Sequence, residues 1–373
     1  MKSPQNVVEL CQSLVRIPSV NPAGNPGVER PGEKACAEFV ADFLESECGA
    51  RAEIRPAFET RPNVVGFFPK NRAGKPRIVF APHTDTVSVA GMSINPFAAE
   101  LRDGKIFGRG ACDTKGPMAA MLWALREMRD EIAELPVEVV FAGLMGEEAG
   151  QHGAKAFVAN THADFALVAE PTGCDIVHTH KGSTWLTLRT RGRAAHSSRP
   201  ELGENAIVKM LRLLDFVRTE MTAEFATILD PVLGAPTVSI GTISGGAKTN
   251  IVPESCEATV DLRTVPSQAV PEFAGLLEKR LRAICPDAEI ELAVSRPLFT
   301  DPSHPFIHAL EKAGGKCVGA PWFCDAAIFS VAGIPAVAAG PGDIAQAHTP
   351  DEWIAVEELE RGVKFYRAFL ENL

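Results

Sequence analysis

Three short apolar runs in this chain each lead into side chains able to chelate a cation. RIVFAP leads into His83 and Asp85, VEVVFAGLM into Glu147 and Glu148, and FALVAE closes on Glu170. Continuous apolar runs of this length fit strands buried on both faces, and parallel strands deliver such residues to the edge of a sheet. Asp113 in GRGACDTKG and His348 in AQAHTPDEW complete a set of five metal-ligand candidates: His83, Asp113, Glu148, Glu170 and His348. Two neutral imidazoles with carboxylates that chelate or bridge suit a pair of divalent cations, zinc first, with cobalt and manganese also fitting N/O donors. Such a site activates water for hydrolysis.

Each residue alone has a plainer reading. His-x-Asp after a strand is commonly a surface turn, and an aspartate before a helix commonly satisfies backbone amides. A glutamate pair or a loop histidine is commonly just solvated. One metal site replaces five separate coincidences at the ends of strands. Within it, Asp85 can accept the second N–H of the His83 ring and fix its orientation. Adjacent carboxylates repel unless something positive separates them or one stays protonated. Glu148 as ligand and Glu147 as general base resolve that repulsion.

The 373 residues exceed the usual size of one hydrophobic core, so two domains are expected. Helical spacing is read at residues 4–15, around Ala35, Phe39, Phe43 and Leu44, and at 117–129; strands are read at 63–68, 77–81, 138–142 and 165–169. This alternation is the α/β class, a sheet covered on both faces. After Lys181 the pattern changes to half-buried alternation at 184–191, a helix at 205–221, strands at 237–243 and 256–263, a helix at 271–284 and a strand at 288–294. That β-α-β-β-α-β order is ferredoxin-like and reads as an inserted α+β domain over residues 182–294. Residues 1–181 and 295–373 then form the catalytic domain, with a helix at 305–313 and a strand at 334–338. The chain must return to that domain for His348 to join the other ligands.

A net charge of −10 argues against a nucleic-acid partner, since phosphate binding wants a basic surface. No run approaches a membrane span, and the first residues lack the apolar core of a secretory signal. Nine cysteines without a CxxC pair fit reduced thiols, so a cytoplasmic location is expected. Gly340 to Ala345 (GPGDIA) matches a dinucleotide-binding pattern, but proline occupies its second position and too little chain follows. No G-x-S-x-G occurs. Cys112 has no evident base and reads as a small buried thiol.

With these residues placed, the chain resembles the acetylornithine deacetylase, succinyl-diaminopimelate desuccinylase and carboxypeptidase G family of two-zinc metallohydrolases. The resemblance runs through HTDTV, GRGACDTKGPMAAM, GEEAG, EPTG, AAHSSRPELGENAI, GGAKTNIVPESCEATVDLRTVP and QAHTPDEW, and is greatest to acetylornithine deacetylases. It implies a metallopeptidase-like catalytic domain with a mixed sheet between helices, and a ferredoxin-like lid that forms a homodimer. It further implies that His83, Asp113 and Glu170 hold one metal and that Asp113, Glu148 and His348 hold the other, with Asp113 bridging. Asp85 then supports the histidine and Glu147 is the general acid and base. His196 is the oxyanion donor from the lid, and Asn250 and Arg263 grip the substrate. A cis peptide at Asp113–Thr114 is implied too, although Thr114 stands where many relatives carry methionine. The implied reaction is removal of an acyl group, acetyl first, from an N-acyl amino acid such as N-acetylornithine. Desuccinylation, dipeptide or carboxypeptide cleavage, and non-catalytic ligand binding are the alternatives.

Overall fold

The computed structural model describes residues 3–23, 25–29, 31–68 and 74–373. The chain forms two compact units. One comprises Met1–His178, Thr300–Val318 and Cys324–Leu373; the other comprises Thr179–Phe299 and Gly319–Phe323.

The first unit is built on a mixed sheet. Arg51–Phe58 and Arg61–Phe67 form an antiparallel hairpin, and Arg61–Phe67 pairs antiparallel with Glu138–Gly143. From there the sheet is parallel: Glu138–Gly143 beside Arg77–Ala81, then Phe165–Val168, then Ala336–Ala338. The central strands are buried almost throughout, as strands covered on both faces must be. Their shared direction brings the residues that follow Ala81, Gly143 and Val168 to one edge.

Helices Val7–Arg16, Lys34–Ser46, Lys115–Glu127 and Val356–Glu371 pack in one core with Phe80, Phe141 and Phe165. The first begins at Val7, with its apolar spacing and not at residue 4, because Asn6 caps it by accepting the Glu9 backbone N–H at 2.9 Å. Its buried Leu10, Cys11 and Leu14 recur at helical spacing. Truncating Leu14 to alanine would cost about 2–5 kcal/mol, since no solvent reaches it. Helix Lys115–Glu127 starts two residues before the predicted point, so Lys115 is buried; its Nζ donates to the Ile17 carbonyl at 2.6 Å and the Leu14 carbonyl at 3.1 Å. A lysine at these last carbonyls matches the negative end of the first helix.

The C-terminal part of the chain rejoins this unit twice. Ala336–Ala338 enters the sheet, and Trp353–Ala355 pairs antiparallel with Lys105–Phe107. The second pairing, within a small three-stranded sheet that sequence reading missed, lays the segment after His348 against the loop that leads to Asp113.

The second unit contains an antiparallel sheet in the order Thr237–Gly245, Ser255–Arg263, Ser183–Arg191, Glu289–Ser295. Helices Ala206–Phe216 and Phe273–Ile284 complete the expected β-α-β-β-α-β succession. Leu186, Leu188, Val260 and Leu262 share its core with Met210, Leu213, Leu277 and Leu281, while alternate strand residues such as Trp185 and Arg189 face outward. The predicted long helix at 205–221 forms and runs further: Asn205 caps it through the Val208 N–H at 3.1 Å, Ala206–Phe216 passes into a π-helical stretch at Val217–Met221, and Thr222–Thr227 continues it. Among the described residues, no helix is long and apolar enough to cross a membrane.

Candidate metal centre

The sheet edge gathers all five predicted ligands. His83 Nε2 lies 3.0 Å from Asp113 Oδ1, and its Nδ1 is 3.0 Å from the Asp85 carbonyl. His348 Nε2 lies 3.3 Å from Asp113 Oδ2 and 3.1 Å from Glu148 Oε2. Glu170 completes a group with His83 and Asp113, within which one ligand atom per residue lies within 4.8 Å of the others. Asp113, Glu148 and His348 meet the same limit, and so do His83, Glu147 and Glu148. Asp113 is common to two of these groups, the arrangement a bridging carboxylate requires.

Local structure explains how each arrives. His83 and Glu170 follow parallel neighbouring strands. Asp113 closes a glycine-rich turn, its peptide to Thr114 is cis, and the Thr114 hydroxyl donates to the Ala169 carbonyl at 2.9 Å, one residue before Glu170. His348 sits in a loop with φ 63° and keeps 55% of its side chain exposed, so the centre is open on that side.

Charge in the centre is out of balance. Burial pushes Glu147 and Glu170 well above the usual carboxylate range, and burial followed by the charge of Asp113 raises Glu148. Burial acts on Asp113 too, but the His348 and His83 rings outweigh it and hold that carboxyl below its ordinary value. His348 is pushed up to about 10 by its hydrogen bonds to Asp113 and Glu148. Two buried carboxylate oxygens, Glu148 Oε1 and Glu170 Oε1, have no hydrogen-bond partner. Buried polar atoms are normally paired. Oxygen and imidazole donors converging with surplus negative charge fit divalent cations.

Two groups that sequence reading did not single out surround the centre. Asn21 Nδ2 donates to Asp85 Oδ2 at 2.7 Å. Asp325 is buried with neither carboxylate oxygen paired, and burial raises it to about 7. An asparagine in a proline-rich loop and an aspartate before a short helix carry no pattern that separates them from ordinary turn residues. Cys112 is buried and burial pushes its thiol up, as in a small packed thiol. The GPGDIA glycines serve close backbone approach: a Cβ on Gly340 would lie 2.6 Å from the Tyr366 hydroxyl and 2.8 Å from the Glu170 carbonyl.

His196, Asn250 and Arg263 belong to the second unit. His196 bridges in β fashion to Ile251, next to Asn250, and its Nδ1 lies 2.8 Å from the Ser198 hydroxyl. His196 and Asn250 are exposed. Arg263 is half-buried and donates from Nε to Asp261 at 2.8 Å.

Mixed sheet and carboxylate–imidazole cluster together suit a metal-dependent hydrolase. The chain belongs to peptidase family M20/M25/M40, whose sequence pattern it matches over residues 79–372. It is 30% identical over 379 residues to an acetylornithine deacetylase of Proteus mirabilis, covering 98% of this chain and 96% of that one. A second acetylornithine deacetylase, from Edwardsiella ictaluri, is 28% identical over 362 residues, with 94% and 93% covered. Among solved structures, an M20 family metallo-carboxypeptidase from Sulfolobus solfataricus superposes with a TM-score of 0.81 at 22% identity, covering 99% of both chains. A dinuclear metal binding peptidase of the M20 family from Bacillus subtilis gives a TM-score of 0.69 at 16% identity, covering 98% and 96%. The protein is accordingly a hydrolase that acts on amide bonds.

Proposed function

We propose that this protein is a metal-dependent deacylase that removes an acyl group, acetyl first, from an N-acyl amino acid such as N-acetylornithine. Convergence of His83, Asp113, Glu148, Glu170 and His348 on one sheet edge carries the metal reading. The near full-length likeness to acetylornithine deacetylases supports the substrate class. His83, Asp113 and Glu170 would hold one cation, and Asp113, Glu148 and His348 the other, with zinc preferred and cobalt or manganese accepted. Divalent cations held there supply Lewis acidity toward the amide carbonyl and toward water.

The chain's own residues do the rest. Glu147, half-buried at the centre, takes a proton from the attacking water and returns it to the leaving nitrogen. Asp85 orients His83. His196 donates to the developing oxyanion, and Asn250 and Arg263 bind the substrate's carboxylate, to which a guanidinium fork is well matched. Residues 182–294 act as lid and dimerisation domain, residues 1–181 and 295–373 as catalytic domain, and the enzyme works as a cytoplasmic homodimer.

Free-amine release from zinc- or cobalt-loaded protein tests the reading, over N-acetylornithine, other N-acetyl and N-succinyl amino acids, and dipeptides. Preference for one N-acetyl amino acid, lost in Glu147→Gln with metal content unchanged, is the expected result. Succinyl preference makes it a desuccinylase, and dipeptide cleavage moves it to the peptidase branch. Turnover retained by Glu147→Gln would remove Glu147 as the base.

A further inference from the structure

A buried carboxylate stands directly behind Asp113. Glu352 has no exposed surface. Its Oε1 accepts the backbone N–H groups of Cys112 at 2.8 Å and Asp113 at 2.9 Å. Its Oε2 accepts the N–H of Gly110 at 3.0 Å and the Arg109 guanidinium at 2.8 Å. The Glu352 backbone carbonyl takes the N–H of Gly108 at 2.9 Å. Residues 108–113 therefore wrap around one side chain 239 positions beyond Asp113. Gly110 makes the wrapping feasible: at φ +81° it turns where a Cβ would lie 2.8 Å from Thr86.

A buried anion is expensive to hold unless oriented donors and a cation compensate it. Here a guanidinium and three backbone amides do so, in a concave arrangement of amides suited to an anion. An ion pair kept only for stability would need Arg109 alone. The bonds to Cys112 and Asp113 do something different, because they fix the backbone that carries the shared carboxylate. The same segment also supplies His348, whose ring lies 3.3 Å from Asp113 Oδ2. Asp113 is thus held twice by one stretch of chain, at its side chain by His348 and at its backbone by Glu352.

We propose that Glu352 is a positioning residue for the two-cation centre, setting the Asp113 carboxylate between His83 and His348 and keeping the His348 segment in register on the Gly108–Asp113 loop. The inference rests on the metal reading above. It places the decisive contact on a residue that touches neither substrate nor cation.

Glu352→Gln tests it. The amide keeps the shape but offers one acceptor oxygen, so its NH2 must face one of the two donor pairs. Cobalt(II) affinity by chelator competition and the cobalt visible absorption spectrum are compared with the parent protein, below the melting temperature of each. The expected result is about 10–100-fold weaker cobalt binding, the range for lost outer contacts of metal ligands, with a shifted spectrum. Arg109→Met keeps the three amide contacts, so it is expected to lower the melting temperature while retaining the parent spectrum. Should Glu352→Gln fail to fold, Glu352→Asp, too short to reach both donor pairs, takes its place with the same expectation. Parental affinity and spectrum in the Glu352 variant overturn the positioning role while leaving the metal reading standing. No cobalt uptake by the parent protein overturns the metal reading itself, and the inference with it.

Discussion

Asp85 accepts the backbone N–H of Glu147 at 3.0 Å. The same carboxylate takes the Glu148 N–H at 3.1 Å and the Asn21 side-chain amide at 2.7 Å, and its Oδ1 lies 3.5 Å from His83 Nδ1. One buried side chain thus holds the backbone of Glu147 and Glu148, while the Asp85 backbone carbonyl, 3.0 Å from His83 Nδ1, meets the imidazole ring. In Asp85→Asn one acceptor becomes a donor facing an N–H. We expect kcat/KM to fall about 10–100-fold with weaker metal binding. Unchanged kinetics and zinc content in the variant would count against this role.

Cations that bind only the folded chain should stabilise it. Glu148 Oε1 and Glu170 Oε1 lie buried without partners, so the metal-free protein retains an uncompensated penalty. Zinc or cobalt at a thousandfold excess over Kd should add about 4 kcal/mol, read as a rise in melting temperature that a chelator reverses. Glu170→Gln should blunt the rise. A melting temperature indifferent to metal would contradict the assignment.

Gly116 leaves no room for a side chain. A Cβ there would lie 2.3 Å from the Ala111 carbonyl and 2.7 Å from Ile354. Gly116→Ala must displace the loop carrying Asp113, and overpacking of this kind costs about 1–3 kcal/mol. Thermal denaturation should show the loss, and a metal titration should show weaker binding. Full stability and affinity in this variant would mean that the loop yields without consequence.

In the second unit, Lys209 donates to Asp287 at 2.6 Å and pairs with Glu204 at 2.8 Å. The Lys209 bond holds Asp287 below its ordinary 3.8, and these two carboxylates, Asp287 foremost, hold Lys209 above 10.5. A lowered carboxyl contributes stability above its unfolded value and loses it as pH falls through the folded one. A raised ammonium contributes stability that disappears as pH rises through its folded value. Because both acids are half exposed, the contribution is below about 1 kcal/mol. Lys209→Met should therefore melt slightly lower than the parent at pH 7, with the gap closing below pH ~4. A gap that widens in acid would reverse the sign.

Much of the candidate metal centre was legible because the signals were local. A run of strand length ending on His83 or Glu170 declares both element and donor, and the β-alternation after Lys181 declares a different kind of sheet. Glu352, Asn21 and Asp325 escaped because their significance lies in what approaches them. Glu352 is held by backbone amides, which leave no mark on residue types, and Asn21 looks like any loop asparagine. The small sheet that pairs Trp353–Ala355 with Lys105–Phe107 was missed because strands this short carry no periodicity.

The chain's residues by themselves determined the donor chemistry, the α/β class and the change to an antiparallel insert, since hydrophobic period and ligand type are properties of neighbouring residues. Only tertiary structure decided that Asp113 would lie between His83 and His348, that the Asp85 carboxylate would hold the backbone of Glu147 and Glu148, and that Glu352 would stand behind Asp113. Those relationships depend on segments far apart in sequence meeting to within hydrogen-bonding distance, and burial and Coulomb interaction act on the distance in space, not on the separation along the chain.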